Sequence, residues 1–378
     1  MSKAAELAAL IGGQKALGDK NFIINGDMQC WQRATAATAA NNYGTVDRWA
    51  FGEGTDGAYT SEQSTDTPTG TGFSIKAQVT TADTSLASSQ YAYIYQEIEA
   101  QNLQSLQYGT SSAKTLTLSF WVKSNKTGTY TISIQKRDAT VYYLAIEYTI
   151  DSANTWEKKT ITISPTAGST SFITASAGAI ANDNGQGIQL GFGLAWGSQF
   201  NGATNNTWTT STYYATSNHV NWMDSTSNNF YLAQVQLEIG DVATAFEHED
   251  FGTTLAKCQR YYYQTTTIGS SGVHYNLIGR ISSTTQGYYT QELPTNLRTT
   301  PSIAANPAYN TGSSWHNNLS GVDNKAWSGA PVIGACSNNV VTWYVTTAAW
   351  ASGYVGMVTQ PYTPTSVSSN YISYDAEL

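Results

Sequence analysis

Only four histidines, His219, His248, His274 and His316, occur in the 378 residues. None stands in an H-E-x-x-H pair, and no G-x-S-x-G elbow, P-loop or dinucleotide fingerprint accompanies them. Paired carboxylates are the remaining way to hydrolyse a glycan. The densest acidic group is Glu247, Glu249 and Asp250. It lies between two regions of strand pattern, where acids are normally solvated or cap the next helix. Cys30, Cys258 and Cys336 have no metal-ligand spacing, and an odd count makes no disulfide framework. They are expected as reduced, mostly buried thiols that pack as small hydrophobes. Catalysis, a metal and a cofactor are therefore not expected.

Aromatic rings set among amides and hydroxyls offer a different chemistry. A Trp or Tyr face stacks on the apolar face of a sugar while Asn, Ser and Thr satisfy its hydroxyls. Tyr309, Trp315, His316, Asn317, Asn318 and Trp327 gather in one stretch without strand period, and Trp350 and Tyr354 lie near another turn. These are the candidate ligand contacts, centred on Trp315, His316 and Trp327. A second candidate is the polar stretch from Trp196 to Asn229, with Trp196, Phe200, Trp208, Tyr213, Tyr214 and Trp222. It is too long for a hairpin loop. Subunit contact, glycan contact and internal packing all remain open for it.

Charged residues make up 12 % of the chain, about half the usual share. Thr, Ser, Asn, Gly and Tyr fill the gap and give a surface suited to hydrogen bonding. The net charge of −8 argues against nucleic acid and against an anionic membrane surface. No apolar run approaches the roughly 20 residues of a membrane span. Residues 1–20 lack the apolar core of a signal peptide, so synthesis in a cytoplasm without standard export is expected.

The elements that would position these residues are nearly all strands. Leu116, Leu118, Phe120 and Val122 alternate with polar neighbours, as do Ile188, Leu190, Phe192 and Leu194. Turn-formers separate such runs, which predicts an antiparallel jelly-roll sandwich over 21–240. In its last strand Ala233, Val235, Leu237 and Ile239 alternate with Gln234, Gln236 and Glu238. A linker follows over 241–253. Thr253 or Thr254 then offers an N-cap to a short helix carrying Leu255, Cys258 and Tyr262. Arg260 on that helix is expected to bridge the linker carboxylates and stack on a tyrosine. Residues 254–378 read as a second, smaller β-sandwich, so the fold class is all-β. Residues 1–20 read as a helical peg that docks through Leu7, Leu10 and Ile11, because so short a helix is unstable alone.

Several motifs resemble known families. NFIINGDMQ (21–29), LSFWVKS (118–124), NTWEKKTITI (154–163) and YLAQVQLE (231–238) resemble strands of the galactose-binding-like, carbohydrate-binding jelly rolls attached to glycanases. That family often carries two Asp in its last strand. Ala233-Gln234 stand there, so no calcium ligand carries over. NGDMQCWQRATA with TVDRWAF, the CQRYYY joint, and LPTNLRTTPSI with the YDAEL terminus resemble bacteriophage tail-fibre and receptor-binding proteins, in order along most of the chain. The resemblance implies an elongated homotrimer in the virion. Its N-terminus would be held by a tail or adaptor protein, and its C-terminal half would bind a host surface glycan. A structural spacer fibre or baseplate component carrying another adhesin, and a polysaccharide depolymerase, are the alternative readings.

Overall fold

The computed structural model describes residues 20–37, 42–265, 277, 279–306, 316–319, 323–337, 339–347, 350, 358–362 and 371–378, with 306, 316–319, 323–324 and 358–362 as backbone only. The expected peg, with Leu7, Leu10 and Ile11, lies outside these residues. The chain divides into two compact units. The first takes most of the chain up to His248. The second takes Glu249–Leu378 together with two earlier strips, Gln29–Thr35 and Tyr43–Arg48.

The first unit is a jelly-roll sandwich of two antiparallel sheets. One sheet orders β1 (Ala36–Ala37), β3 (Ala58–Ser64), β4 (Ser74–Thr81), β11 (Asn229–Ile239), β6 (Leu116–Ser124) and β9 (Glu157–Ile163). The other orders β2 (Ala50–Glu53), β5 (Tyr91–Glu99), β10 (Gln186–Trp196), β7 (Gly128–Lys136) and β8 (Tyr142–Ile150). Alternation puts Leu118, Phe120 and Val122 of β6 against Leu190 and Phe192 of β10, all fully buried. Phe120 ties the sheets together, edge-on to Phe192 at 5.1 Å and to Tyr148 at 5.2 Å.

The last strand departs from the simple alternation. Its register on β6 shifts between Ala233 and Gln236, and Gln234 has φ 49°. This bulge switches the parity of the strand. Phe230 and Leu232 face the core before it, and Val235 and Leu237 after it. Ala233 pairs with Trp121 on the other face instead of joining the core row. The polar partners are also buried: Gln236 and Glu238 bond to Thr244, and the Glu247 amide donates to Gln236 Oε1 at 2.8 Å. Residues 241–247 thus fold back over the sheet rather than running free. Glu247 accepts from the Lys20 and Asn21 amides at 2.9 and 3.1 Å.

The second unit also pairs two sheets. A three-stranded sheet orders β12 (Tyr262–Gln264), β21 (Tyr371–Asp375) and β15 (Ser302–Asn306). A seven-stranded sheet orders β17 (Asp323–Ala326), β16 (His316–Leu319), β20 (Val358–Tyr362), β13 (Gly279–Ser283), β14 (Gln286–Glu292), β19 (Val340–Thr346) and β18 (Val332–Ser337). Their common core holds Tyr289, Val341, Trp343, Val345, Ile372 and Tyr374. The Trp343 indole donates to the Tyr374 hydroxyl at 3.0 Å, which satisfies a buried N–H.

Helix α1 spans Phe251–Gln259. Its N-cap is Asp250, not Thr253 or Thr254: the Asp250 carboxylate accepts the Thr253 amide at 3.0 Å and the Thr253 hydroxyl at 2.5 Å. Those bonds hold the Asp250 carboxyl below its usual range. Lys257 pairs with Glu249. Arg260 Nη1 donates to the Asn296 carbonyl at 3.4 Å. Two arginines from the early strips lie over the neighbouring tyrosines. Arg33 lies 3.7 Å from the Tyr262 ring centroid and Arg48 3.5 Å from that of Tyr261. A cation on a face of Tyr is held by the ring quadrupole.

These strips form a charged cluster in the second unit. Arg33 reaches Asp47 at 3.4 Å, Asp375 at 3.1 Å and Glu377 at 3.3 Å. Arg48 is 1 % exposed and pairs with the other Glu377 oxygen. Burial works against both guanidinium charges, but the facing carboxylates, Glu377 foremost, outweigh it and raise both above their usual range. For Asp47 burial wins over Arg33 and raises its carboxyl to about 6. Arg48 has φ 72°, a left-handed conformation that costs a non-glycine residue about 1–2 kcal/mol and is held here by the groups around its guanidinium.

Candidate functional site

The feature of the first unit with most chemical potential is the outer face of its five-stranded sheet. In β5, Ala92, Ile94 and Ile98 face the core, so Tyr91, Tyr93, Tyr95 and Glu97 face outward. Register then fixes their neighbours. Tyr93 lies between Gly52 of β2 and Gly193 of β10. Tyr95 lies between Ala50 and Gly191, and Gly191 pairs with Ser133 of β7. Glu97 pairs with Gln189, which pairs with Gln135, which pairs with Tyr143 of β8.

The glycines decide how the tyrosine rings lie. A Cβ at Gly52 would sit 2.1 Å from Tyr93 Cε1, and one at Gly191 would sit 3.4 Å from Tyr93 Cδ2. The Tyr93 ring therefore lies over Gly52, in space that any side chain would fill, and comes within ordinary contact distance of Gly191. Tyr91 lies over Gly54 in the same way, with Cε1 3.0 Å from where a Cβ would be. Tyr93 stacks on Tyr95 with centroids 4.8 Å apart. All three rings are half-buried. The result is an aromatic cluster along one strand, in which Tyr91 stands edge-on to Tyr93 at 5.8 Å and 69° while Tyr93 and Tyr95 stack.

The long stretch after β10 completes this platform. Trp196 stacks on Tyr214 at 4.9 Å and 6° between planes, and Trp196 lies 5.1 Å from Tyr93. Phe200 meets Tyr91 edge-on at 6.0 Å. Burial raises the Tyr93 phenol above its usual range and the Tyr214 phenol to about 12. Both stay protonated and can donate hydrogen bonds. Beneath and beside the rings lies a polar layer. Glu97 accepts from Arg137 at 2.9 Å and Gln189 at 2.7 Å, and Gln135 donates to Tyr143 at 3.1 Å. Ser133 Oγ, Gln135 Oε1 and Arg137 Nε are enclosed and make no hydrogen bond among the described residues. His219 closes one end, its Nδ1 3.0 Å from Thr131 Oγ1, and burial lowers its pKa to about 4.

The sequence-derived candidates divide accordingly. Trp196 and Tyr214 come together in the platform. Trp208 and Trp222 do not: they are 1 % and 0 % exposed, and their indoles donate to the Ser164 and Asn229 carbonyls. Tyr213 is half-buried and packs its ring where a Gly202 side chain would stand. In the second unit, Trp327 is a core residue, edge-on to Trp343 at 5.9 Å, and Trp350 is buried against Ile281. Lack of strand period around Trp327 does not signal a ligand loop, because its ring packs in the core against Trp343 beside a backbone bridge to Thr347. Tyr309, Trp315 and Tyr354 lie outside the described residues, and His316, Asn317 and Asn318 are described only as backbone of β16. Tyr91, Tyr93 and Tyr95 are not among the candidates that sequence singles out. Their signal is the period-two YAYIY run beside strands that carry Gly52, Gly191 and Gly193.

No family model matches the chain, and no curated protein matches it. Among solved structures the chain is similar to one described as "CBM4 structure and function", with 15 % identity over 57 % of this chain and 98 % of that one, TM-score 0.28. It is similar to the xylan-binding domain from CBM 22, with 14 % identity over 56 % of this chain and 99 % of that one, TM-score 0.29. It is also similar to the enzymatically active domain of tailspike protein 4 of bacteriophage CBA120, with 13 % identity over 58 % of this chain and 21 % of that one, TM-score 0.28. These likenesses are distant, and the functional reading rests on the platform itself.

Proposed function

We propose that this chain is a glycan-binding subunit of a phage tail fibre, and that it holds an extended sugar chain on the aromatic platform of its first unit. The observation that carries this reading is the cluster of half-buried Tyr91, Tyr93 and Tyr95 on the outer face of one strand, with Tyr93 lying over Gly52 and Tyr91 over Gly54. Half-exposed rings at alternate positions offer apolar faces and edges to a sugar chain, and protonated phenols and nearby amides serve the hydroxyls. The nearby acids are already engaged. Glu97 is held by Arg137 and Gln189, and Glu147 accepts from Thr216 at 2.5 Å and Asn218 at 3.0 Å. Binding without hydrolysis is the activity such a surface supports. Assembly as a homotrimer, attachment to the tail through residues 1–20 and recognition of a host receptor belong to the same proposal, and the motif resemblance supports them.

The test is binding of the purified chain to an array of neutral oligosaccharides and host surface glycans, followed by calorimetry on the best ligand. Tyr93→Ala removes one stacking face, which is worth on the order of 2 kcal/mol, or roughly thirtyfold in Kd. Unaltered affinity in Tyr93→Ala moves the site elsewhere. Steady release of reducing ends from a bound polysaccharide overturns the non-catalytic reading.

A further inference from the structure

The second unit assembles a donor set that spacing along the sequence hides. Cys30 comes from the first early strip, Asp47 from the second and Cys258 from helix α1. Their two Sγ atoms and one carboxylate oxygen all lie within 4.8 Å of one another. The three residues are 2 %, 1 % and 1 % exposed. We propose that Cys30, Cys258 and Asp47 bind a divalent zinc-like cation, which pins both early strips to α1.

Distance fits this reading. Zn–S bonds of about 2.3 Å in a tetrahedral site place two sulfurs about 3.8 Å apart, inside the observed limit. Donor type fits as well: two thiolates and one carboxylate suit zinc, and a water would complete the four positions. The frame around the ligands is already built. The Asp47 amide donates to the Cys30 carbonyl at 3.0 Å, which locks two ligand-bearing segments together. Asp47 Oδ2 accepts from Gln32 Nε2 at 2.8 Å, and Oδ1 from Arg33 at 3.4 Å. Such outer partners orient a ligating carboxylate.

Charge fits too. Binding replaces two S–H bonds by two Zn–S bonds and releases two protons to solvent, with no change of oxidation state. Zinc with two thiolates and a carboxylate carries one net negative charge. Arg33 is already paired to Asp47, and Arg48 lies near enough to Cys258 to interact with it electrostatically. Both guanidiniums favour the anionic complex. A Cys30–Cys258 disulfide is the competing fate of the pair, but it gives no role to the carboxylate beside the sulfurs.

The experiment is metal analysis of the full chain, made in zinc-supplemented medium and passed through gel filtration. About one zinc per chain is expected, lost to background in Cys30→Ser and Cys258→Ser and retained in Cys336→Ser. A cadmium titration of metal-stripped wild-type protein guards against misfolded variants. It should give sulfur-to-cadmium charge-transfer absorption that saturates at about one equivalent. A zinc-free chain with no such absorption overturns the proposal. So does zinc that persists in both cysteine variants, or a Cys30–Cys258 disulfide in freshly purified protein.

Discussion

Replacing Glu377 by Gln should destabilise the second unit more than replacing its partner Arg48 does. The carboxylate serves two buried cations: one oxygen pairs with Arg48 and the other with Arg33 at 3.3 Å. A neutral amide in its place would leave Arg48, 1 % exposed, over the Tyr261 ring without its counter-charge. Breaking a buried pair in this sense costs about 3–5 kcal/mol, against a typical domain stability of about 5–15 kcal/mol. Arg48→Met is milder. Glu377 keeps Arg33, the methionine keeps much of the packing, and the loss is chiefly the cation–ring contact and one ion pair, about 2 kcal/mol. The double variant removes both charges and should be more stable than Glu377→Gln alone, which requires a coupling above about 2 kcal/mol. At about 2–4 °C per kcal/mol, Glu377→Gln lowers the melting temperature of the second unit by roughly 6–20 °C. Differential scanning calorimetry, with urea unfolding followed by the Trp343 fluorescence change, measures all three variants. A loss below about 1 kcal/mol for Glu377→Gln, or strict additivity in the double variant, refutes this account of the cluster.

Three further outcomes follow from geometry already described. Gly52→Ala puts a methyl 2.1 Å from Tyr93 Cε1, so the half-exposed ring lifts by about 1.5 Å to reach ordinary contact; glycan affinity should fall about tenfold while the melting temperature changes little, and equal affinity by calorimetry would count against the aromatic platform as the site. His219 is held neutral down to about pH 4, whereas an unfolded histidine takes its proton near 6.5, so stability is full above about 6.5 and falls as pH drops towards 4, by up to about 3 kcal/mol; His219→Gln should flatten that limb of a denaturant-midpoint against pH curve, and an unchanged slope would exclude this origin. Trp327→Ala should cost about 3–5 kcal/mol in urea unfolding and leave glycan binding intact below the melting temperature; the reverse pattern would restore Trp327 as a ligand contact.

The strands of the first unit are legible in sequence because period two is a local signal. Ile188 to Leu194 and Leu116 to Val122 alternate in sequence and face the core in the fold. The bulge at Gln234 is not legible, since a polar residue at a parity switch looks like one more polar position. Aromatic residues sort poorly for a related reason. Trp208, Trp222 and Trp327 sit in stretches without period, yet all three are buried, the first two with indole hydrogen bonds to carbonyls and the third packed on Trp343. Tyr91, Tyr93 and Tyr95 lie in a periodic run and form the outward, half-buried face. Their role depends on glycines in strands about 40 and 100 residues away, a pairing that register reveals and sequence distance conceals. The arginines over Tyr261 and Tyr262 are hidden in the same way. The nearest arginine in sequence is Arg260, but Arg33 and Arg48 arrive from the other end of the chain.

That long reach sets a clock on synthesis. Arg48 and Glu377 are 329 positions apart, and the ribosome adds roughly 5–20 residues each second, so Arg48 emerges about 15–65 s before its partner exists. Through that interval two arginines, an aspartate and a cysteine destined for a buried site lack their partners, while the jelly roll has all its own strands by Ile239 and can close. The early strips must therefore stay unpaired, looped out of one finished sheet structure, until the second unit is made. Anything that slows translation between 249 and 377 prolongs that state. A cell-free translation stalled near residue 300 would expose Cys30 to alkylation, and release of the full chain would hide it.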